Sequence, residues 1–273
     1  MSASSFSAAS PSRASAPSEF PAVVARLRAA GCVFAEDEAE LLVSTAHGPA
    51  ELAAMVQRRV SGLPLEHVLG WAEFCGSRIA VDAGVFVPRR RTEFLVRQAA
   101  ALAAPEAVVV DLCCGSGALG AALGAAVDGV ELHAADIDPA AVRCARRNVA
   151  GIGGEVYEGD LYGPLPAALR GRVDILLANV PYVPTEEVGL LPPEARIHEA
   201  RVALDGGADG LDVLRRVTAD AASWLAPGGL LLFETSERQV PNAVEAVAAG
   251  GLVARVVSDE ELYATVVVAG RRA

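Results

Sequence analysis

The second half of the chain alternates short apolar runs with segments of helical periodicity, and this pattern constrains the fold more than any other feature. Runs that are apolar throughout are typical of parallel strands whose two faces are both covered by helices. We therefore predict a doubly wound α/β domain with about seven strands. The predicted strands cover residues 108–111, 130–136, 156–160, 173–178, 230–234, 253–257 and 265–269.

The residues before this domain follow other patterns. The first segment, 1–18, is rich in Ser, Ala and Pro, which predicts a disordered tail. Residues 19–70 carry apolar side chains at helical intervals and predict a small helical bundle. In residues 71–88, aromatic and branched side chains are interleaved with Gly, Asp and Pro, which predicts a β-hairpin linker. The α/β domain then covers residues 89–273.

Charge and cysteine usage restrict the partners that the chain can have. A net charge of −11 argues against binding nucleic acid through its phosphates, and we expect Arg58 and Arg59 to lie on a solvated face. The five cysteines are scattered and the histidines are dispersed, so no metal site is expected. Free thiols fit a cytoplasmic protein, and neither a signal peptide nor a membrane-spanning stretch is expected.

A glycine-rich turn follows the first predicted strand, with the sequence Asp111-Leu-Cys-Cys-Gly-Ser-Gly117. In a doubly wound sheet, a ligand binds beyond the carboxyl ends of the strands, at the point where the strand order reverses. Gly115 and Gly117 would let the backbone approach such a ligand closely. Asp136 ends the second predicted strand, where a carboxylate can accept hydrogen bonds from both ribose hydroxyls of an adenosine.

Two cofactors compete for this turn. Gly115, Gly117 and Gly120 form the Gly-x-Gly-x-x-Gly string that is typical of dinucleotide sites. However, Cys113 holds the place of the first glycine in that motif, and the Asp111 carboxylate would repel a pyrophosphate. A carboxylate can instead receive a cationic amino-acid group. The turn therefore favours S-adenosylmethionine over NAD, and a tight turn without a ligand is the remaining alternative.

Asp160 ends the third predicted strand and is followed by Leu161. At this position Asp160 could reach the amino group of an adenine, and Leu161 could line the adenine ring. An aspartate exposed on a turn fits the pattern equally well.

Asn179 directly follows the fourth predicted strand, at the same edge of the sheet as the aspartates. Its side-chain oxygen and the backbone carbonyl of Val180 could accept the two N–H bonds of an NH2 group that is conjugated to a carbonyl or a ring. That arrangement would turn the nitrogen lone pair toward a sulfonium methyl group and stabilise the positive charge that grows on nitrogen. Tyr182 would supply an aromatic wall against the planar group.

An Asn-Pro-Pro-Tyr motif after the fourth strand marks amino-methyltransferases, and here the motif is Asn179-Val180-Pro181-Tyr182. Over about residues 20 to 270, the chain resembles the protein-(glutamine-N5) methyltransferases that modify the Gly-Gly-Gln motif of peptide chain release factors. The other matching segments are Pro64-Leu-Glu-His-Val-Leu-Gly70, Phe74, Val87-Pro-Arg89, Thr92-Glu93, 111–119, Glu194-Ala-Arg196, Ala203-Leu-Asp-Gly-Gly-Ala-Asp-Gly-Leu-Asp212 and Pro227-Gly-Gly-Leu230.

The resemblance implies a Rossmann-like, seven-stranded class I methyltransferase domain, preceded by a helical bundle and a β-hairpin linker. It also implies that the segment 179–182 binds the target glutamine and that the helical bundle helps to dock a release factor. Separately, we expect the protein to be a monomer. The residues implied to contact S-adenosylmethionine are Cys113, Cys114, Gly115, Ser116, Gly117, Asp136, Leu161 and Asn179.

The chain departs from the family pattern at three places. Val180 replaces the first proline of Asn-Pro-Pro-Tyr, Arg90-Arg91 replaces Pro-Glu in Arg-Pro-Glu-Thr-Glu, and Ala200 replaces the proline that commonly follows His-Glu. Four alternatives therefore stay open. They are methylation of a glutamine in another protein, methylation of a small-molecule amide, methylation of adenine in DNA, and a non-catalytic module that binds S-adenosylmethionine.

Overall fold

The computed structural model describes residues 16–271. The chain divides into two compact units, Met1–Leu69 and Gly70–Ala273. The predicted tail, 1–18, lies outside the described residues except for its last three positions, which begin the first helix. Within the described range, no helix combines the length and the apolar character needed to cross a bilayer.

The first unit is helical, as its periodicity predicts. Its elements are α1 (Ala16–Ala29), α2 (Ala35–Thr45), α3 (Pro49–Val60) and the short α4 (Leu65–Leu69). Gly31, with a φ of +90°, lies in the turn that follows α1, and Pro49 occupies the first turn of α3, where no backbone N–H is needed. Leu27, Leu42 and Val56 are buried together and form the centre of this core.

A buried ion pair joins α2 to α3. The Nε and one terminal nitrogen of Arg59 donate to the two carboxylate oxygens of Glu38, at 2.6 and 2.9 Å. A further nitrogen of Arg59 donates to the Leu63 carbonyl at 3.0 Å. The predicted solvated face is therefore wrong for Arg59, because the sequence does not reveal that Glu38 faces it from another helix. Arg58 is exposed, as predicted.

The second unit contains a hairpin followed by an α/β domain. Its elements are β1 (Trp71–Phe74), β2 (Ser77–Ala80), α5 (Glu93–Leu102), β3 (Val108–Leu112), α6 (Ala118–Ala126), β4 (Glu131–Asp136), α7 (Pro139–Val149), β5 (Glu155–Glu158), β6 (Val173–Ala178), α8 (Pro193–His198), α9 (Asp212–Trp224), β7 (Leu225–Thr235), α10 (Val240–Ala249), β8 (Leu252–Asp259) and β9 (Ala264–Arg271). The predicted α/β class with a seven-stranded sheet is confirmed.

The strand order of the large sheet is β5-β4-β3-β6-β7-β9-β8, so the direction of winding reverses between β3 and β6. Strands β3 to β7 are parallel, as predicted. Strand β9 instead runs antiparallel to both β7 and β8. A short turn joins β8 to β9, and a connection of that length allows only an antiparallel pair.

Helices cover both faces of this sheet. Leu95, Leu123 and Val149 bring α5, α6 and α7 into one buried layer. Leu214 and Val247 bring α9 and α10 into the layer on the opposite face. Because side chains of a strand alternate between its two faces, continuously apolar strands such as β3 and β6 supply both layers at once.

Candidate active site

The site lies where the sheet changes its direction of winding. Strands β3 and β6 are parallel neighbours, and Leu112 is paired with Ala178 at their carboxyl ends. Cys113 directly follows β3 and Asn179 directly follows β6, so the two predicted binding segments lie side by side. This is the position at which doubly wound sheets bind ligands.

Asp136 holds the glycine-rich loop in place. One oxygen of its carboxylate accepts a hydrogen bond from the backbone N–H of Gly115 at 2.8 Å, and the other accepts from the backbone N–H of Asp138 at 2.9 Å. Burial raises the pKa of Asp136, and these two donors act in the opposite direction. The loop between β3 and α6 is therefore tied to the end of β4.

The last glycine of the loop is required by space as well as by conformation. Gly117 has a φ of +74°, and a Cβ there would lie 3.0 Å from the Cβ of Ala145 on α7. Cys113 also has a positive φ, of +54°, which is uncommon for a residue with a side chain. The neighbouring Ser116 is buried, and its carbonyl accepts a 2.8 Å hydrogen bond from the amide of Asn148 on α7.

Asp111 is almost completely buried beneath this loop. One of its oxygens accepts a 3.0 Å hydrogen bond from the backbone N–H of Gly120, whereas the other has no partner among the described residues. Burial raises the pKa of Asp111 to about 7, the Gly120 N–H opposes that shift, and the charge of Asp136 adds to it. A buried carboxylate oxygen without a partner is costly, and a cationic group or an N–H donor would relieve that cost.

Cys113 and Cys114 follow Asp111 on the same loop. Cys113 is half-buried and Cys114 is buried. Burial raises the pKa of both thiols, and the nearby aspartates raise it further. Both thiols are therefore neutral near pH 7, so neither has the properties of a reactive nucleophile.

Of the two residues predicted at the end of the third strand, Asp160 is exposed and Leu161 is buried. The Asp160 carboxylate is exposed and forms an ion pair with Arg216 on α9. Leu161 has a φ of +48° and is buried in the layer shared with α9. This geometry fits the interpretation of Asp160 as an exposed turn residue, and it places Leu161 next to the end of the sheet.

Hydrogen bonds to its backbone hold the segment from Asn179 to Tyr182 in place, while the Asn179 side chain has no hydrogen-bond partner among the described residues. Asn179 is half-buried, and its amide makes no hydrogen bond with any residue in the range 16–271. Val180 is buried, and the carbonyl of Tyr182 accepts a 2.9 Å hydrogen bond from Gln239. Just beyond, the backbone N–H of Val183 donates to the Leu204 carbonyl at 3.1 Å.

The Tyr182 hydroxyl belongs to a network that sequence reasoning missed. It donates to the buried carboxylate of Glu234, at the end of β7, at 2.9 Å, and it accepts a hydrogen bond from Arg91. Arg91 and Thr92 also donate to Glu234, at 2.8 and 2.7 Å. The only sequence signal for this network is the Arg90-Arg91 departure and an acid at the end of the fifth parallel strand.

A family model described as "Methyltransferase small domain" matches residues 77–210. The release factor glutamine methyltransferase of Mycolicibacterium smegmatis is 37% identical over 259 residues, covering 88% of this chain and 92% of that protein. The 4-amino-L-phenylalanine/4-methylamino-L-phenylalanine methyltransferase of Streptomyces pristinaespiralis is 37% identical over 198 residues, covering 68% of this chain and 66% of that protein.

Solved structures support the same fold. The ribosomal protein L11 methylase of Lactobacillus delbrueckii superposes with a TM-score of 0.50 at 16% identity, covering 68% of this chain and 81% of that chain. The family resemblance predicted from the sequence motifs is confirmed by the relative that matches nearly the whole chain. The chain therefore belongs to the release factor glutamine methyltransferase family and is a methyltransferase that uses S-adenosylmethionine.

Proposed function

We propose that the chain transfers a methyl group to the side-chain amide nitrogen of a protein glutamine, and that its target is the Gly-Gly-Gln glutamine of peptide chain release factors. The observation that carries this proposal is the unengaged amide of Asn179, positioned at the switch point of the sheet beside the glycine-rich loop. The relative from Mycolicibacterium smegmatis bears the same activity in its name.

The residues around the loop fit S-adenosylmethionine, which supplies an electrophilic methyl group on a sulfonium. The partnerless oxygen of Asp111 lies beneath the loop and suits the cationic amino-acid end of that cofactor. Asp136 would hold the ribose hydroxyls, and Leu161 would line the adenine. Within the segment 113–117, an added Cβ at Gly115 would meet nothing within 4 Å, so the cofactor would have room to approach the backbone there.

The target amide would be held by the segment from Asn179 to Tyr182. The Asn179 oxygen and the Val180 carbonyl would each accept one N–H of the amide, which turns its lone pair toward the methyl donor. These acceptors also stabilise the positive charge that develops on nitrogen, so no strong base has to remove a proton before transfer. Pro181 restricts the backbone of the clamp, and Tyr182 provides the aromatic wall.

Residue 180 contributes only its backbone carbonyl in this scheme. Any amino acid can supply that group, so Val180 preserves the chemistry while it lacks the ring restraint of a proline. We therefore propose that the departure from Asn-Pro-Pro-Tyr changes the rate or the preferred target and leaves the reaction type unchanged.

A second candidate is methylation of an amino group attached to an aromatic ring of a free amino acid. The relative from Streptomyces pristinaespiralis is named for such substrates, and its identity to this chain is as high as that of the release factor enzyme. Glutamine and 4-aminophenylalanine both present an NH2 group whose lone pair is delocalised, so the same pair of acceptors would serve either.

The proposed setting is the cytoplasm, with the protein working as a monomer on a protein partner and without direct contact to nucleic acid. All five cysteines are free thiols, which suits a reducing compartment. The net charge of −11 disfavours binding to phosphates. We further propose that the helical unit formed by α1 to α4 helps to bind the release factor.

The test of this proposal is methyl transfer to a purified release factor by the wild type, Asn179→Ala and Asn242→Ala. Asn242 is exposed on α10 and serves as the matched control. We expect Asn179→Ala to abolish transfer while its affinity for S-adenosylmethionine falls only modestly, and we expect Asn242→Ala to behave like the wild type. Persistent activity in Asn179→Ala would show that the proposed clamp is wrong.

A further inference from the structure

Glu234 is the centre of a compact network beside the proposed amide clamp. Its carboxylate is buried at the end of β7 and receives three hydrogen bonds. Thr92 donates to one oxygen at 2.7 Å, and the other oxygen accepts from Arg91 Nε at 2.8 Å and from the Tyr182 hydroxyl at 2.9 Å. A buried carboxylate with this set of donors is a rigid acceptor.

Arg91 connects that acceptor to the aromatic wall. Its Nε donates to Glu234, and one of its terminal nitrogens donates to the Tyr182 hydroxyl. The hydroxyl is thus a donor to Glu234 and an acceptor from Arg91 at the same time, which fixes its direction as well as its position. A planar guanidinium can make these two contacts together, whereas a lysine ammonium offers no comparable fork.

The position of Arg91 at the start of a helix is electrostatically unfavourable. Residues Arg90–Thr92 form a 3-10 turn that leads into α5, and cations are disfavoured near a helix N-terminus. Arg91 offsets this disadvantage through its pair with Glu234. Arg90 is exposed and makes no side-chain hydrogen bond or ion pair within residues 16–271, so the two neighbours differ in their contacts while they share charge and helix position.

We propose that Arg91 is a positioning residue for target binding, because it and Glu234 together fix the Tyr182 hydroxyl and hold the aromatic wall in place beside the clamp. This inference rests on the proposed function of Asn179 to Tyr182. It also gives a role to the Arg90-Arg91 departure, since a glutamate at position 91 cannot donate to Glu234 or to Tyr182.

The test is a double-mutant cycle between Arg91→Gln and Tyr182→Phe, with Arg90→Gln as the matched control. The substrate is a peptide that carries the Gly-Gly-Gln motif. We expect Arg91→Gln to lower kcat/KM for the peptide about tenfold, while its affinity for S-adenosylmethionine changes less than about twofold. Arg90→Gln should match the wild type. In the Tyr182→Phe background, Arg91→Gln should have little further effect, because the hydroxyl that it positions is already absent.

Arg91→Lys separates charge from geometry, and it covers the case in which the glutamine variant fails to fold. If Arg91 acts by holding the Tyr182 hydroxyl, the kcat/KM of Arg91→Lys should be nearly as low as that of Arg91→Gln. Full activity in Arg91→Lys would overturn the inference, and so would additive losses in the double variant or a loss equal to that of Arg90→Gln.

Failure of this inference can be told apart from failure of the proposed function. If the wild type methylates neither a release factor nor the Gly-Gly-Gln peptide, the proposed function is wrong. Crystal structures of the wild type and Arg91→Gln then test the inference alone. A displaced Tyr182 side chain in the variant supports it, and an unchanged Tyr182 position overturns it.

Discussion

The Asp136 carboxylate accepts a 2.8 Å hydrogen bond from the backbone N–H of Gly115. The acid at the end of β4 therefore holds the glycine-rich loop at the end of β3, in addition to its proposed role as a ribose ligand. Two parts of the proposed cofactor site are joined by one side chain, and the loss of that side chain should affect binding more than folding.

Asp136→Ala should weaken S-adenosylmethionine binding by about 10- to 100-fold, because it removes both ribose acceptors and the anchor of the loop. Isothermal titration calorimetry measures the affinity. Asp138→Ala is the control, since Asp138 caps α7 by accepting from the backbone N–H of Ala140. That variant should lose about 1 kcal/mol of stability with nearly unchanged affinity. Equal affinities for wild type and Asp136→Ala would refute the proposed ribose contact.

Cys113→Gly should leave the chain as stable as the wild type or stabilise it by up to about 1 kcal/mol. Cys113 has a φ of +54°, and the left-handed region costs a residue with a side chain about 1–2 kcal/mol. Glycine removes that cost but adds conformational entropy to the unfolded chain. Cys114→Gly should destabilise by about 1–3 kcal/mol, because Cys114 is buried and lacks a positive φ. Urea unfolding compares the two, and a larger loss for Cys113→Gly would contradict this account.

Asp111 should make the stability of the cofactor-free protein fall as the pH rises toward neutrality. Burial raises the pKa of Asp111 from its ordinary 3.8 to about 7, so the folded chain retains a proton that the unfolded chain has already lost. The contribution of this retained proton to the free energy of unfolding is fully present below about pH 4 and is lost as the pH rises through about 7. The contribution is at most about 4 kcal/mol.

Asp111→Asn removes this titration. Urea unfolding of both proteins without cofactor, at about pH 5 and pH 8, should show the wild type losing stability relative to the variant as the pH increases. Parallel pH dependence in the two proteins would mean that Asp111 ionises in the folded state with an ordinary pKa.

Glu38→Gln should destabilise the helical unit by about 3 kcal/mol, because it removes the buried carboxylate charge that pairs with the Arg59 guanidinium. Glu36→Gln is the control. Glu36 pairs with Arg28 in an exposed position, and its loss should leave the unfolding midpoint unchanged. Thermal unfolding followed by circular dichroism at 222 nm provides the comparison. Indistinguishable midpoints for the two variants would show that burial adds nothing to the Glu38–Arg59 pair.

Local patterns predicted the elements of the sheet where apolar runs end at clear signals. The predicted bounds of β6 are those of the structure, since an asparagine directly follows its apolar run. Strand β7 begins at Leu225, five residues earlier than predicted. The prediction began too late because Pro227-Gly228-Gly229 has the composition of a turn. The pairing of β6 with β7 is irregular over this stretch, which accommodates those residues within the strand.

In the candidate site, too, some residues could be predicted from the sequence and others could not. Its aspartates, its glycine-rich loop and Asn179 follow strand ends, so the sequence places them at one edge once the strands are predicted. The partners of Tyr182 could not be predicted by such reasoning. Glu234 meets Tyr182 because β6 and β7 are neighbours, and Arg91 reaches both residues from the turn that precedes α5. Neither the order of strands nor the packing of that turn is contained in local periodicity. The Glu38–Arg59 pair was not predicted either, because it joins residues of two different helices whose packing local periodicity does not reveal.

The most direct test of the central claim is to locate the methyl group. The purified protein is incubated with labelled S-adenosylmethionine and a release factor, with the same release factor carrying Gly-Gly-Asn as a control and with 4-aminophenylalanine as a competing substrate. Tandem mass spectrometry should find one methyl on the side-chain nitrogen of the Gly-Gly-Gln glutamine and none on the control protein. Transfer to 4-aminophenylalanine alone, or to a different residue of the release factor, would contradict the account.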